Sequence, residues 1–280
     1  MDRKATARET LEIMKQGYYV IESKKDQIST QIKIDIRQDM EQSIKDSILI
    51  TPAEGEELLK KYGTQYPDTE NQAEPSVTVE NISTVDGIRK LVQEGKTHIG
   101  VLNFASAKNP GGGFLNGAMA QEESLAASST LYRTLTAHEE YYRNNRACKS
   151  MIYTNHGIYS PNVIFFRDGN FRLTEPVKAS VLTLPAVNMG QVIQKGEDIE
   201  TARQAMKQRM KLSLAIFAHQ GTKNLILGAY GCGVFRNNPE DVAIWWKELL
   251  EEGMGKYFDS IFHAVLDKSK GQNCIKAFSK

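Results

Sequence analysis

The sequence predicts an α/β domain whose helices cover both faces of a central sheet. Three observations support this. From residue 76 onward, amphipathic stretches of helical period alternate with short apolar runs. The runs HIGVLNFAS (98–106), KASVLTLPAV (178–187) and KNLIL (223–227) are nearly continuous, as in strands buried on both faces. Glycine clusters directly follow the first and third of them, where ligands bind in such sheets, beyond the carboxyl ends of strands.

The elements follow in order. Residues 2 to 16 read as a partly amphipathic helix, YYVIES and TQIKIDI as short strands, and residues 37–47 and 54–62 as helices. YPDTENQAEPS (66–76) is a polar loop joining these to the rest. We take residues 1–74 as a helical extension packed on a core of 75–280, because the extension is too small to bury a core alone. SVTVENI is a strand, and STVDGIRKLVQEG a helix with a Ser83 cap and a Gly95 stop. After HIGVLNFAS and its glycine loop, one helix is expected from about Ala120 to Leu135. SMIYTNHGIYSPNVIFFRDG (150–169) suggests two strands around a turn. KASVLTLPAV is a strand and 197–219 a long helix. KNLIL runs into the second glycine loop, NPEDVAIWWKELLEEG is a helix, SIFHAVLD a strand, and 271–279 a last helix.

Composition excludes several function classes. The 280 residues carry 35 basic and 34 acidic groups, a net charge of +1, so no broad field favours DNA or RNA. An anionic ligand must be held by local dipoles and a few placed groups. Cys148, Cys232 and Cys274 form no CxxC pair and point to a reducing, cytoplasmic setting. The five histidines lack zinc-site spacing, and no metal or cofactor is expected. The N-terminus lacks the apolar core of a signal peptide, and no run of about 18 apolar residues suggests a membrane span.

The two loops carry the chemistry. NPGGGFLNGAMAQEESL (109–125) places seven residues between Gly111, Gly112, Gly113 and Gln121, Glu122, Glu123. GAYGCGVF (228–235) brings Gly228, Gly231 and Gly233 to another strand end. Glycine allows left-handed backbone and close approach, so such loops can aim N–H groups at an anion. The complete P-loop pattern is absent, and Arg236 stands where a dinucleotide fingerprint needs its third glycine. Glu122 and Glu123 could merely complement a helix dipole, worth about 0.3–1 kcal/mol each. Beside a phosphate loop that explains less, since carboxylates there repel the ligand unless they serve its chemistry. Adjacent helical residues point about 100° apart, so the two should have different jobs. Trp245 and Trp246 read as packing, Cys232 as a small residue whose backbone matters, and His156 as structural.

GGG, seven residues, then QEE resembles the signature of the poly(ADP-ribose) glycohydrolases, and LILGAYGCGVF resembles the second loop of their short bacterial members. The resemblance spans most of the chain from about residue 75. It implies a three-layer α/β/α macrodomain with a mixed central sheet, binding ADP-ribose across the strand ends. It makes Glu123 the catalytic acid, with Glu122 placing the ribose or its leaving hydroxyl. Gly111, Gly112 and Gly113 would approach the distal ribose and pyrophosphate, with Gln121 alongside. Gly231, Cys232, Gly233 and Val234 would form the pyrophosphate loop, with Phe235 near the distal ribose. The family's ribose-contacting Asn has two candidates, Asn103 and Asn109. The implied substrate is poly(ADP-ribose) or an ADP-ribosylated protein, and the product ADP-ribose. Two alternatives remain: a reader that binds ADP-ribose without cutting, and a hydrolase freeing ADP-ribose from an acceptor side chain. A reader has no need of QEE.

Overall fold

The computed structural model describes residues 2–25, 28–64, 66–67 and 74–280. Its elements are α1 (Arg3–Gln16), β1 (Tyr18–Lys25), β2 (Ile28–Asp35), α2 (Arg37–Asp46), β3 (Ile48–Ile50), α3 (Pro52–Tyr62), β4 (Ser76–Glu80), α4 (Thr84–Gln93) and β5 (Ile99–Ala105). They continue with α5 (Gln121–Ser128), α6 (Leu131–Thr136), α7 (Glu139–Ala147), β6 (Gly157–Arg167), β7 (Leu173–Pro185), α8 (Met189–Gln194), α9 (Ile199–His219), β8 (Asn224–Leu227), α10 (Pro239–Glu251), β9 (Ser260–Ala264) and α11 (Asn273–Phe278).

Among the described residues, seven strands form one mixed sheet in the order β3-β6-β7-β5-β8-β9-β4. The pairs from β7 to β4 are parallel, and β6 runs against its neighbours β3 and β7. The apolar runs are continuous because successive side chains point to opposite, equally covered faces. Leu102, Leu182, Leu225 and Ile261 enter a core with α9 and α10. Their neighbours Val101, Val181, Ile226 and Phe262 enter a second core with α4, α6 and α7. The three-layer α/β/α arrangement is therefore present.

Before residue 75 the chain holds more than helices. β1 and β2 form a separate antiparallel hairpin, and β3 pairs with β6 as an edge of the main sheet. Ile13, Met14, Tyr19, Ile36 and Met40 pack with Ile164 and Phe166 of β6. α1 also supports α5, since Thr10 Oγ1 donates to the Ala127 carbonyl at 2.6 Å. Most of the polar loop expected at 66–76 lies outside the described residues.

Two expected elements differ. The single helix from 120 to 135 is broken at Ser129, which is extended at φ −150°, ψ −179°. The hydroxyls of Ser129 and Thr130 give the backbone other partners. Ser129 Oγ donates to Leu125 O, and Thr130 exchanges two hydrogen bonds with Ile164 of β6. The two strands expected within 150–169 are one strand, β6. Pro161 and Asn162 make a bulge there, with Asn162 at φ +51° and the register shifted between Ser160 and Val163. The short elements β3 and α8, and the helix α7, carried no strong sequence pattern.

Candidate active site

The site begins where β5 and β8 part. Their pairing stops at Val101 and Ile226. The next free groups of β5 are taken by a side chain. Gln121 Nε2 donates to Leu102 O at 2.8 Å, and Gln121 Oε1 accepts from Phe104 N at 2.9 Å. One amide thus stands in for a strand and holds the fork open. On the other side, the buried indole of Trp246 donates to Gly228 O at 3.1 Å and fixes the end of β8.

The first loop turns over the start of α5. Gly111 and Gly112 are left-handed, at φ +67° and +60°. A Cβ on Gly112 would lie 2.3 Å from Glu123 Oε1 and 3.1 Å from Glu122 Oε2. Gly112 is therefore glycine to admit the two carboxylates, before any ligand is considered. A Cβ on Gly111 would meet Phe114 and Ala126 instead, in the packed layer behind. Glu123 Oε1 accepts from Gly113 N and Oε2 from Ala120 N, both at 2.9 Å. The carboxylate bridges the loop to the helix start and stays partly exposed to the cleft.

Glu122 turns the other way. It is 3% exposed, accepting from Ser106 N at 2.6 Å and Asn103 Nδ2 at 3.2 Å. Burial pushes its carboxyl up from 4.5 to about 8, against the pull of the Ser106 and Asn103 hydrogen bonds. The adjacent Glu123 raises it further. At neutral pH Glu122 is mostly protonated, so the pair carries less negative charge than its formula. Asn103 is fully buried behind Glu122; its amide also donates to Thr183 Oγ1, while its Oδ1 has no partner among the described residues.

The second loop is braced from below. Asn237 Nδ2 donates to Gly231 O at 3.0 Å and Val187 O at 2.8 Å. Gly231 is left-handed at φ +72°, and a Cβ there would meet Asn237 and Ala186. Among the described residues, Gly233 has nothing within 4 Å of an added Cβ, and Val234 is 80% exposed. The Phe235 ring lies 6.1 Å from that of Tyr153. Arg209, fully buried, holds the Tyr153 segment by donating to the carbonyls of Ile152 and Pro185 and to Asn155 Oδ1.

These parts enclose a cleft of about 930 Å³. Its wall includes Asn109, Gly112, Gly113, Gln121, Glu122 and Glu123 from the first loop and α5. Gly231, Cys232, Gly233, Val234 and Phe235 face them from the second. Of the residues singled out in the sequence, Asn103 and Gly111 sit behind this wall. Gln121 reaches it, but its amide is committed to β5. The sequence reading missed Ser106, whose N–H serves Glu122, and Leu266 and Asp267 at the end of β9. The strand-end rule that found the two glycine loops also applies to SIFHAVLD, where no glycine drew attention. Among the described residues no group of His, Cys, Asp and Glu is placed to hold a metal ion, and no helix is long and apolar enough to cross a membrane.

A three-layer α/β/α fold with a carboxylate pair at the strand ends of its sheet defines a macrodomain-like ligand cleft. Residues 7–168 match the family described as "Microbial-type PARG, catalytic domain". The chain belongs to this family, the bacterial poly(ADP-ribose) glycohydrolases, enzymes that act on poly(ADP-ribose). The poly(ADP-ribose) glycohydrolase of Thermomonospora curvata is 34% identical, with a TM-score of 0.91 over 99% of this chain and 98% of that one. The same enzyme bound to the inhibitor ADP-HPD superposes with a TM-score of 0.88. That of Deinococcus radiodurans in complex with ADP-ribose is 38% identical, with a TM-score of 0.80 over 85% of this chain and 95% of that one. No curated protein sequence matches the chain.

Proposed function

We propose that this glycohydrolase cleaves the ribose–ribose O-glycosidic bond and releases ADP-ribose, with Glu123 as general acid and base. Glu123 protonates the leaving ribose oxygen as the glycosidic C–O bond breaks and an oxocarbenium-like centre develops. The resulting carboxylate then takes a proton from the water that attacks the anomeric carbon, which restores the acid. Glu122, largely protonated in its buried setting, donates a hydrogen bond to a ribose oxygen and places the sugar. Gly112 and Gly113 let the ribose approach, Asn109 contacts it from the loop, and Gly231 to Val234 cradle the pyrophosphate beside Phe235. Residues 1–74 act as an extension buttressing the first loop, and the setting is the cytoplasm.

One observation carries this reading. Glu122 and Glu123 reach the same cleft from adjacent positions, yet one is buried and the other faces the cavity. Incubation with poly(ADP-ribose), followed by identification of the product, tests it. Free ADP-ribose is expected; binding without turnover would make the protein a reader instead. ADP-ribose near 100 Kd should also stabilise the fold by about 2.7 kcal/mol.

A further inference from the structure

α5, which carries Glu122 and Glu123, is closed at its far end by a residue that lies outside the cleft wall. The helix breaks at Ser129, and its last carbonyls lose their ordinary partners. Ser129 Oγ donates to Leu125 O at 2.7 Å and accepts from Leu131 N at 3.1 Å. Leu131 N is the donor that a continuing helix would give to the carbonyl of Ala127. Thr10 of α1 supplies the replacement: its buried Oγ1 donates to Ala127 O at 2.6 Å. Thr10 is itself held. Arg167, buried at the end of β6, donates from Nε to Thr10 Oγ1 at 3.4 Å, from Nη1 to Phe171 O at 3.0 Å and from Nη2 to the Glu9 carboxylate at 2.8 Å. A guanidinium thus lies near the negative end of the same short helix whose positive end holds the carboxylate pair.

α1 also touches the other wall. Its first turn packs on Gly117, where an added Cβ would lie 3.3 Å from Lys4 Cγ and 3.5 Å from Arg3 Cβ. Gly117 is left-handed at φ +81°, and Ala118 N, just beyond it, donates back to Gly113 O at 3.1 Å. Between these contacts Ala7 packs with Phe114, Ala126 and Ala127. One helix therefore holds both the glycine loop and α5, the two parts that the Glu123 carboxylate bridges through Gly113 N and Ala120 N.

We propose that Thr10 is a positioning residue of the glycohydrolase reaction: its hydroxyl fixes α5 against the glycine loop and so sets where the Glu123 carboxylate meets the substrate. In an α-helix the N–H of residue 127 bonds to the carbonyl of residue 123, so Ala127 and Glu123 belong to one column of peptide groups that ends on Thr10. Without the hydroxyl, Ala127 O is buried with no donor, and the last turn of α5 must shift to reach one. The shift travels up one turn to Glu123. Proton transfer in a bound complex is steep in distance, and a misplacement of about 1 Å costs ~10²-fold in rate. The catalytic half of the proposal rests on Glu123 as the acid; the placement of its carboxylate by Thr10 does not.

The test uses the full chain. Thr10→Val keeps the shape and removes the hydroxyl, Thr10→Ala is a second removal, and Thr10→Ser restores the donor. Ser43→Ala is the control. Ser43 Oγ, buried on α2, makes a matching bond of 2.6 Å to Pro161 O, but at the bulge of β6 rather than on α5. Thermal melts, kcat on poly(ADP-ribose), ADP-ribose affinity, and amide-hydrogen exchange at Gly113 and Ala120 are read for each folded variant. The expected result is a kcat at least ~10-fold lower in Thr10→Val and Thr10→Ala, with ADP-ribose affinity nearly kept and faster exchange of both amides. Thr10→Ser should return kcat and exchange close to the parent, and Ser43→Ala should lose stability without losing kcat. Adding Thr10→Val to Glu123→Gln should cost little further turnover. Equal kcat loss in Ser43→Ala overturns the proposal, because any lost anchor would then do the same. So does a fully additive loss in the double variant, or a parent-like kcat in both Thr10 removals. Unchanged exchange at Gly113 and Ala120 overturns the placement of Glu123 by Thr10. Full activity in Glu123→Gln overturns the acid role and the catalytic half with it, while exchange still decides the placement.

Discussion

The two glycine loops look alike in sequence and differ in what their glycines are for. In the first, the space beside Gly112 is filled by the protein's own Glu123 carboxylate, 2.3 Å from a would-be Cβ. In the second, Gly231 is filled by structural neighbours, but Gly233 opens onto the cleft with nothing within 4 Å. A glycine can therefore be required by a neighbouring carboxylate, by packing, or by a ligand that arrives later. Only the surroundings tell which.

The largest effect should come from the first loop. Glu123→Gln keeps the hydrogen-bonding shape but cannot pass a proton, so kcat should fall by ~10²–10⁴-fold with ADP-ribose affinity nearly kept. Gly112→Ala should lower kcat by at least ~10²-fold, about 2.7 kcal/mol, because it displaces that same carboxylate. The pair can be broken by a double variant: adding Gly112→Ala to Glu123→Gln should cost little further turnover. Full additivity would mean that Gly112 serves the ligand directly.

The next effect concerns Glu122 and depends on pH. Its carboxyl titrates near 8 when folded and near 4.5 when free. Its stabilising contribution is thus complete below about pH 4.5 and lost as pH rises through about 8. Glu122→Gln removes the titration. The stability difference between variant and parent should move in the variant's favour between pH 5 and pH 9, on the order of a few kcal/mol. Denaturant titrations at both pH values give this directly. Parallel pH profiles would show that Glu122 is not neutralised by burial.

Smaller effects belong to the second loop. Gly231→Ala forces a side chain into left-handed backbone against Asn237 and Ala186, and should cost ~1–3 kcal/mol of stability. Gly233→Ala meets nothing, so stability should stay within ~0.5 kcal/mol while ADP-ribose binding weakens. If Gly233→Ala binds as well as the parent, the ligand does not come close to this position.

Much of this was legible in the sequence, for identifiable reasons. Strands buried on both faces leave continuous apolar runs, so the inner strands of the sheet could be read directly. The spacing of GGG and QEE could also be read, because backbone conformation and charge are written in single residues. What could not be read depends on distant partners. Ser129 ends α5 only because β6 lies beside it to accept Thr130. Glu122 and Glu123 are the same residue type on one turn, and their different burial comes from Ser106, Asn103 and the loop folded over them. Gln121 lines the cleft, and its amide serves β5. A side-chain amide is chemically equivalent to a peptide group, so composition cannot say which it will replace.

That substitution bears on how a ligand enters. Because Gln121 occupies the hydrogen-bonding edge of β5 that β8 abandons, the fork needs no arriving molecule to prise it apart. The entropy of ordering this part of the crevice is spent during folding rather than at encounter, which leaves more of the contact energy for affinity. The amide hydrogen of Phe104, bonded to Gln121 Oε1 rather than to a strand, is then a gauge of the fork. Its exchange with solvent reports how firmly the crevice is held ajar in the free protein.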